Sequence, residues 1–398
     1  MKKLIYILFI LVISGLFCTF FSADVMAVQD TSPESGRIFR LPYKDTGFSY
    51  NVRISFEGKE IAFKKEPDFG EKDIVRGSIP AGREGKDHIC FAWDSTDRTL
   101  YLDLNRNLDL TDDPSGVFKY DNKTYTFPQL FADIPIEFLH NSVRHHYQID
   151  VRLYGSSRHP YGNVIVRSGW QGDIELYGKK WTLTVLDNMD GVIEEKDSFF
   201  LHPVREDGAQ QNDMSFINMF SIQPELFFDG HGYDISYDIE SGETETELKA
   251  TFTETHPDCT QLTIDGQYIK RLILIENKNN RAPSVILDSP GTTVMIPART
   301  YESQRVIVDS DDSLGFYYAD FSKKLSVTGQ GAVTLKAGAP LINSVKAIPN
   351  GRFLQLQYQL NGNGGELYRQ VNTNFQKAPK YAIYHKDTMI TSGSFRYG

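Results

Sequence analysis

Between Asp103 and Asp113, six side chains carry carboxylate or amide oxygens: Asp103, Asn105, Asn107, Asp109, Asp112 and Asp113. The first three alternate along the chain, so a loop that folds back on itself can aim every second side chain at one point. Such oxygens are hard donors, and calcium takes about six to eight of them at about 2.4 Å. A second acidic run sets Asp187, Asn188, Asp190, Glu194 and Asp197 around the Asp190-Gly191 turn. Both runs are candidate calcium sites, and these eleven side chains are their candidate ligands.

The first run also admits a different geometry. With Leu102 in front it reads L-D-L-N-R-N-L-D-L, a palindrome about Arg106. A hairpin turning at Asn105-Arg106-Asn107 puts Leu102, Leu104, Leu108 and Leu110 on one face and sets Asp103 opposite Asp109, with side-chain roots about 5 Å apart. Opposed like charges destabilise unless a cation lies close by. A solvated acidic turn is the remaining alternative.

Read as a loop, the run resembles the calcium loops of EF-hand and dockerin proteins. Asp103, Asn105 and Asn107 match their first, third and fifth positions, and Leu110 matches the apolar eighth. Leu108 stands where those loops carry glycine, and Pro114 where they carry a closing acid, so Asp109, Asp112 or Asp113 must close the site. The resemblance implies calcium chemistry. It does not extend to a helix pair or to dockerin partner binding, because strand-like sequence precedes the run. In the second run Gly191 falls at the glycine position, Asn188 and Asp190 at the third and fifth, Ile193 at the eighth and Asp197 at the closing one. Leu186 takes the first position there, so Asp187 must serve in its place.

The elements that would position these loops read as strands. In Phe353–Leu360, Leu354, Leu356, Tyr358 and Leu360 alternate with Gln355, Gln357 and Gln359, a strand with one wet face. Asn51–Phe56, Gln148–Leu153, Asp173–Tyr177, Trp181–Leu186, Arg271–Ile275, Arg305–Val308 and Tyr381–His385 are further strands, separated by turns such as Tyr177-Gly178 and Asp229-Gly230. Only Gln129–Leu139 suggests a short helix, and Pro135 would break it. The fold class is therefore all-β, two or three tandem antiparallel β-sandwich or small-barrel domains with very little helix. The expected units are 28–165, 166–328 and 329–398. A weak echo relates Ile79-Pro80-Ala81, Tyr101 and Asp103 to Ile296-Pro297-Ala298, Tyr318 and Asp320 at matching offsets.

Lys2 and Lys3 precede an apolar run from Leu4 to Phe21, and Val25-Met26-Ala27 offers a peptidase site, so residues 1–27 read as an export signal or an N-terminal anchor. The chain carries −10, and removing Lys2, Lys3 and Asp24 makes it −11. That charge repels phosphate backbones and argues against nucleic-acid partners. Cys90 and Cys259 allow a single disulfide, although Cys90 also suits a buried free thiol. No C-x-x-C, H-E-x-x-H, G-x-S-x-G or phosphate-binding glycine loop occurs. His145 and His146, as strand neighbours, face opposite ways and cannot readily share a metal.

The sequence thus points to an exported, non-enzymatic β-rich protein with one or two structural calcium sites. It would serve binding or structure at the cell surface or in the periplasm, with a protein or glycan partner and no membrane contact beyond its export signal or anchor. The alternative is a secreted hydrolase or carbohydrate-active protein in which calcium is structural.

Overall fold

The computed structural model describes residues 36–56, 61–82, 87–121, 127–140, 142–155, 158–204, 219–241, 246–276, 283–309, 316–328, 331, 333–371 and 379–395. Residues 1–27, expected to be an export signal or anchor, lie outside them. Among the described residues 66% lie in strands and none in an α-helix, so the all-β class holds. The N-terminal half comprises β1 (Arg37–Arg53), β2 (Val75–Ile79), β3 (Ile89–Asp94), β4 (Thr99–Leu102), β5 (Val117–Lys119), β6 (Gln129–His140), β7 (Val143–Tyr154), β8 (Tyr161–Leu176), β9 (Lys179–Leu186) and β10 (Ser198–Pro203). Strands β2 to β5 form a four-stranded sheet of their own. Strands β6 to β10 run as an antiparallel meander.

Two strands belong to more than one layer. The first residues of β1, Arg37 to Pro42, pair with Thr246–Thr255, and from Tyr43 on it pairs with β8, with an irregularity between Asp45 and Tyr50. Its early residues Phe39 and Leu41 therefore enter one core, and Val52 with Ile54 just beyond it enter another. β8 does the same, giving Val164 and Val166 to the second core and Trp170, Ile174 and Leu176 to the first. Strands that switch layers through a bulge make the corners of packed β structures. A third core gathers Phe227, Leu262, Leu272, Val306, Leu335 and Leu360, among others.

These cores do not follow the divisions expected at 165 and 328. The first falls inside β8. Past the second, Val333–Lys336 pairs in parallel with Leu262–Asp265, and Leu335, Leu360 and Tyr368 join the third core.

Gln129–Leu139, where Pro135 argued against a helix, is β6, with Pro135 opposite Gln148 beyond a bulge. Phe131, Ile134, Ile136 and Phe138 are buried while Leu130 and Leu139 are exposed, so a near-alternating pattern prevails over any helical one. The internal echo matches strand positions but not pairing. β2 pairs with β3, whereas Thr293–Pro297 pairs with Cys259–Asp265.

His202 on β10 is buried, stacks on Phe48 at 5.4 Å, and has no hydrogen-bond partner for either ring nitrogen among the described residues. Burial, followed by the nearby Arg271 charge, pushes its pKa down to about 4. The folded state therefore binds fewer protons than the unfolded one below the unfolded pKa of about 6.5. This group's contribution is intact at neutral pH and is lost as pH falls toward 4. Urea titrations at pH 7 and at about pH 4.5 should show His202→Phe losing about 2 kcal/mol less stability between the two than the parent protein loses.

Candidate metal centre

The antiparallel ladder of β9 with β10 places Leu186 opposite Ser198. That register sets Asp187, just past the end of β9, beside Asp197, just before the start of β10, and the nine residues between them form a closed loop. One oxygen from each of Asp187, Asp190 and Asp197 falls within 4.8 Å of the other two. Asp187 and Asp197 are fully buried and Asp190 is half-buried.

Each carboxylate is held by backbone amides. Asp187 accepts from the N–H groups of Asp190 and Gly191, both at 3.1 Å, and from the Tyr147 hydroxyl. Asp197 accepts from Asn188 at 2.9 Å and Glu194 at 2.7 Å, and Asp190 accepts from Val192 at 2.9 Å. Burial, with the neighbouring acidic charge, holds Asp187 and Asp197 well above the usual carboxylate range. Amide donors alone do not offset the cost of two buried anions at this range; a shared cation or protons must.

Three of the five expected ligands thus converge. Glu194 does not, because its carboxylate pairs with Lys196 at 2.8 Å, and Asn188 contributes its backbone amide. Gly191 is required at its position. Its φ is +78°, and a Cβ there would lie 3.2 Å from both Phe138 and His140. Two side chains tether the loop: Met189 is fully buried in the second core, and Ile193, partly buried, packs against the first. Tyr147, and Tyr50 with its hydroxyl on the Lys196 carbonyl at 2.9 Å, complete the surroundings. Neither tyrosine was visible as part of the site in the sequence, since both lie on distant strands.

The first acidic run is a loop, not a hairpin. Asp103 is fully buried, and its two oxygens accept from the amides of Asn107 at 3.1 Å and Leu108 at 3.0 Å. Asp109 does not oppose it. It bridges to Lys65 and turns its carboxylate to the Thr111 amide and hydroxyl, which with Lys65 and Lys64 hold its pKa down. Leu108 has φ +66° and so adopts the left-handed conformation that glycine supplies in the loops this run resembles. Leu110 is buried as the tether. The Arg106 guanidinium turns away from the acids to the Glu137 carbonyl at 2.8 Å and over the Phe138 ring at 5.8 Å. Both loops therefore lean on Phe138.

The ligand-bearing side chains of this loop are largely turned on one another. Asn105 and Asn107 donate their side-chain N–H groups to Asp112 at 3.0 and 2.7 Å, while their oxygens accept loop amides. Asp113 is buried, and its Oδ2 has no partner among the described residues. Burial, then the charges of Asp103 and Asp112, push its pKa up.

Cys90 and Cys259 are both free thiols, which corrects the possible disulfide. They sit in separate sheets, β3 of the four-stranded sheet and Cys259–Asp265 of a three-stranded one. His145 is buried whereas His146 pairs with Glu137, so they do face opposite ways. Comparison with protein-family models, curated proteins and solved structures finds no match to this chain.

Because the buried Asp103 carboxylate accepts two loop amides, Asp103→Ala should cost about 2–3 kcal/mol even in chelator, measured by urea denaturation. Asp103→Asn, which keeps one acceptor oxygen, should cost clearly less.

Proposed function

We propose that this chain is an exported, non-enzymatic β protein whose N-terminal half is locked by calcium, with a binding or structural role at the cell surface or in the periplasm toward a protein or glycan. The observation that carries this reading is the convergence of Asp187, Asp190 and Asp197, two of them buried, at the closed end of the β9–β10 hairpin. The donor set is all oxygen, which suits a hard cation. Three carboxylates in an irregular loop also leave room for carbonyl or water ligands, a geometry calcium accepts more readily than magnesium does. The 103–113 loop, whose Asp113 Oδ2 has no partner among the described residues, is a companion site of the same chemistry. Export is supported by Lys2-Lys3 and the apolar run behind them.

In this reading the metal acts on folding. It binds only the folded loop, so its binding free energy adds to stability. The hydrolase alternative draws less support. The cleft of about 260 Å³ between the first and third cores is lined by Glu225, Glu276 and Arg299. Both of its carboxylates are tied to Arg299, at 3.1 and 2.9 Å, and are not poised as an acid and a base.

Calcium at about a hundred times its dissociation constant should add about 2.7 kcal/mol, which for a chain of this size raises the melting temperature by roughly 3–4 °C over chelator. Asp197→Asn should abolish that difference, while Asp320→Asn, on a distant strand, should keep it. An identical melting temperature in calcium and in chelator rejects the calcium reading.

A further inference from the structure

The last 58 residues differ in charge from all that precede them. Residues 341–398 hold seven Lys or Arg and two Asp or Glu, a net +5, which leaves −15 on residues 1–340 of a chain totalling −10. Glu366, one of the two acids, is buried and bonded to the Gly338 and Gly364 amides and the Tyr368 hydroxyl. Lys346, Arg352, Arg369, Lys380 and Lys386 are all exposed.

The same stretch exposes a strip of apolar surface. Ile342–Asn350 and Phe353–Asn361 form a two-stranded ribbon in which Val345 faces Tyr358, Ala347 faces Leu356 and Pro349 faces Leu354. These six side chains share one face of the ribbon. Its ladder to the next strand, Leu367–Val371, reaches only Leu360 and Asn361. The apolar face therefore starts in the third core at Leu360 and runs outward until Leu354 is 51% exposed, with Phe353 at the tip 80% exposed. Among the described residues, the ring contact between this ribbon and a second one, Lys380–His385 with Thr388–Ser394, is made by Phe395, which follows the second ribbon, packs on its Tyr381 at 5.2 Å and reaches Tyr358 at 5.5 Å. The second ribbon's own Tyr384, Met389 and Ile390 are exposed. A two-stranded ribbon is marginal without cover, and contiguous exposed apolar surface marks an interaction site.

We propose that this basic, apolar arm docks on the acidic body of a second copy of the chain, in a head-to-tail contact. The chain itself supplies the complementary surface, since the body carries −15 against the arm's +5. The strip runs along the ribbon's length, so it offers an extended apolar face of the kind that another sheet covers. A contact between two different patches propagates into rings or filaments and is not limited to a closed pair. The inference does not depend on the metal sites.

Sedimentation velocity on the full chain, from about 1 to 200 µM and at about 0.05 and 0.5 M salt, tests it. The expected result is self-association that deepens with concentration, weakens about tenfold or more at the higher salt, and is lost in Phe353→Ser/Leu354→Ser. The charge reversal Lys346→Glu/Arg352→Glu should weaken it as well. All four residues are exposed, and unchanged far-ultraviolet circular dichroism checks that the fold survives. A monomer throughout overturns the proposal. So does association that strengthens with salt, which is the mark of an arm-to-arm apolar contact. Binding to phosphatidylglycerol vesicles without self-association also overturns it and assigns the arm to an anionic lipid surface.

Discussion

A carboxylate withdrawn from water must be met by donors or by a cation, and the N-terminal half of this protein is arranged around that demand. Asp103 and Asp187 each follow a leucine at the end of a strand, and each is buried. Each turns back to collect two amides from the loop that it opens. In both cases the chain must reverse so tightly that residues enter the left-handed region: Arg106 and Leu108 in one loop, Met189 and Gly191 in the other. The buried acid thus organises the loop, and the loop brings the remaining oxygens into range.

That arrangement needs a rigid floor, and the corner strands provide it. β1 and β8 each serve two cores, so the loops at the strand ends sit against a continuous body and not on separate modules. Phe138 on β6 lies under both loops, in contact range of Gly191 and beneath Arg106. A change at either loop is therefore transmitted to the same hairpin, which also carries Tyr147 and its hydrogen bond to Asp187.

Much of this was legible from residue types alone. Alternation located the strands at Gln148–Leu153, Trp181–Leu186 and Phe353–Leu360, because sheets expose one face and bury the other. Acid and amide spacing located both loops. The palindrome misled in one respect, because its symmetry favoured a hairpin that opposed Asp103 to Asp109. Backbone capping of Asp103 within its own loop proved the better way to bury the charge. At Gln129–Leu139 the period-two signal was blurred by a bulge, which shifts the alternation between Phe131 and Ile134.

The sequence by itself determined the all-β class and the two acidic loops, since both depend on neighbours a few residues apart. Tertiary structure alone decided the rest. The ladder that sets Asp187 beside Asp197 selected three of five candidate ligands and left Glu194 with Lys196. Tyr147 and Tyr50 joined from strands 40 or more positions away, and β1 and β8 each came to serve two cores. The physical reason is range. Periodicity and turn chemistry are local, whereas carboxylate convergence and burial are set by strand register between segments that the sequence keeps far apart.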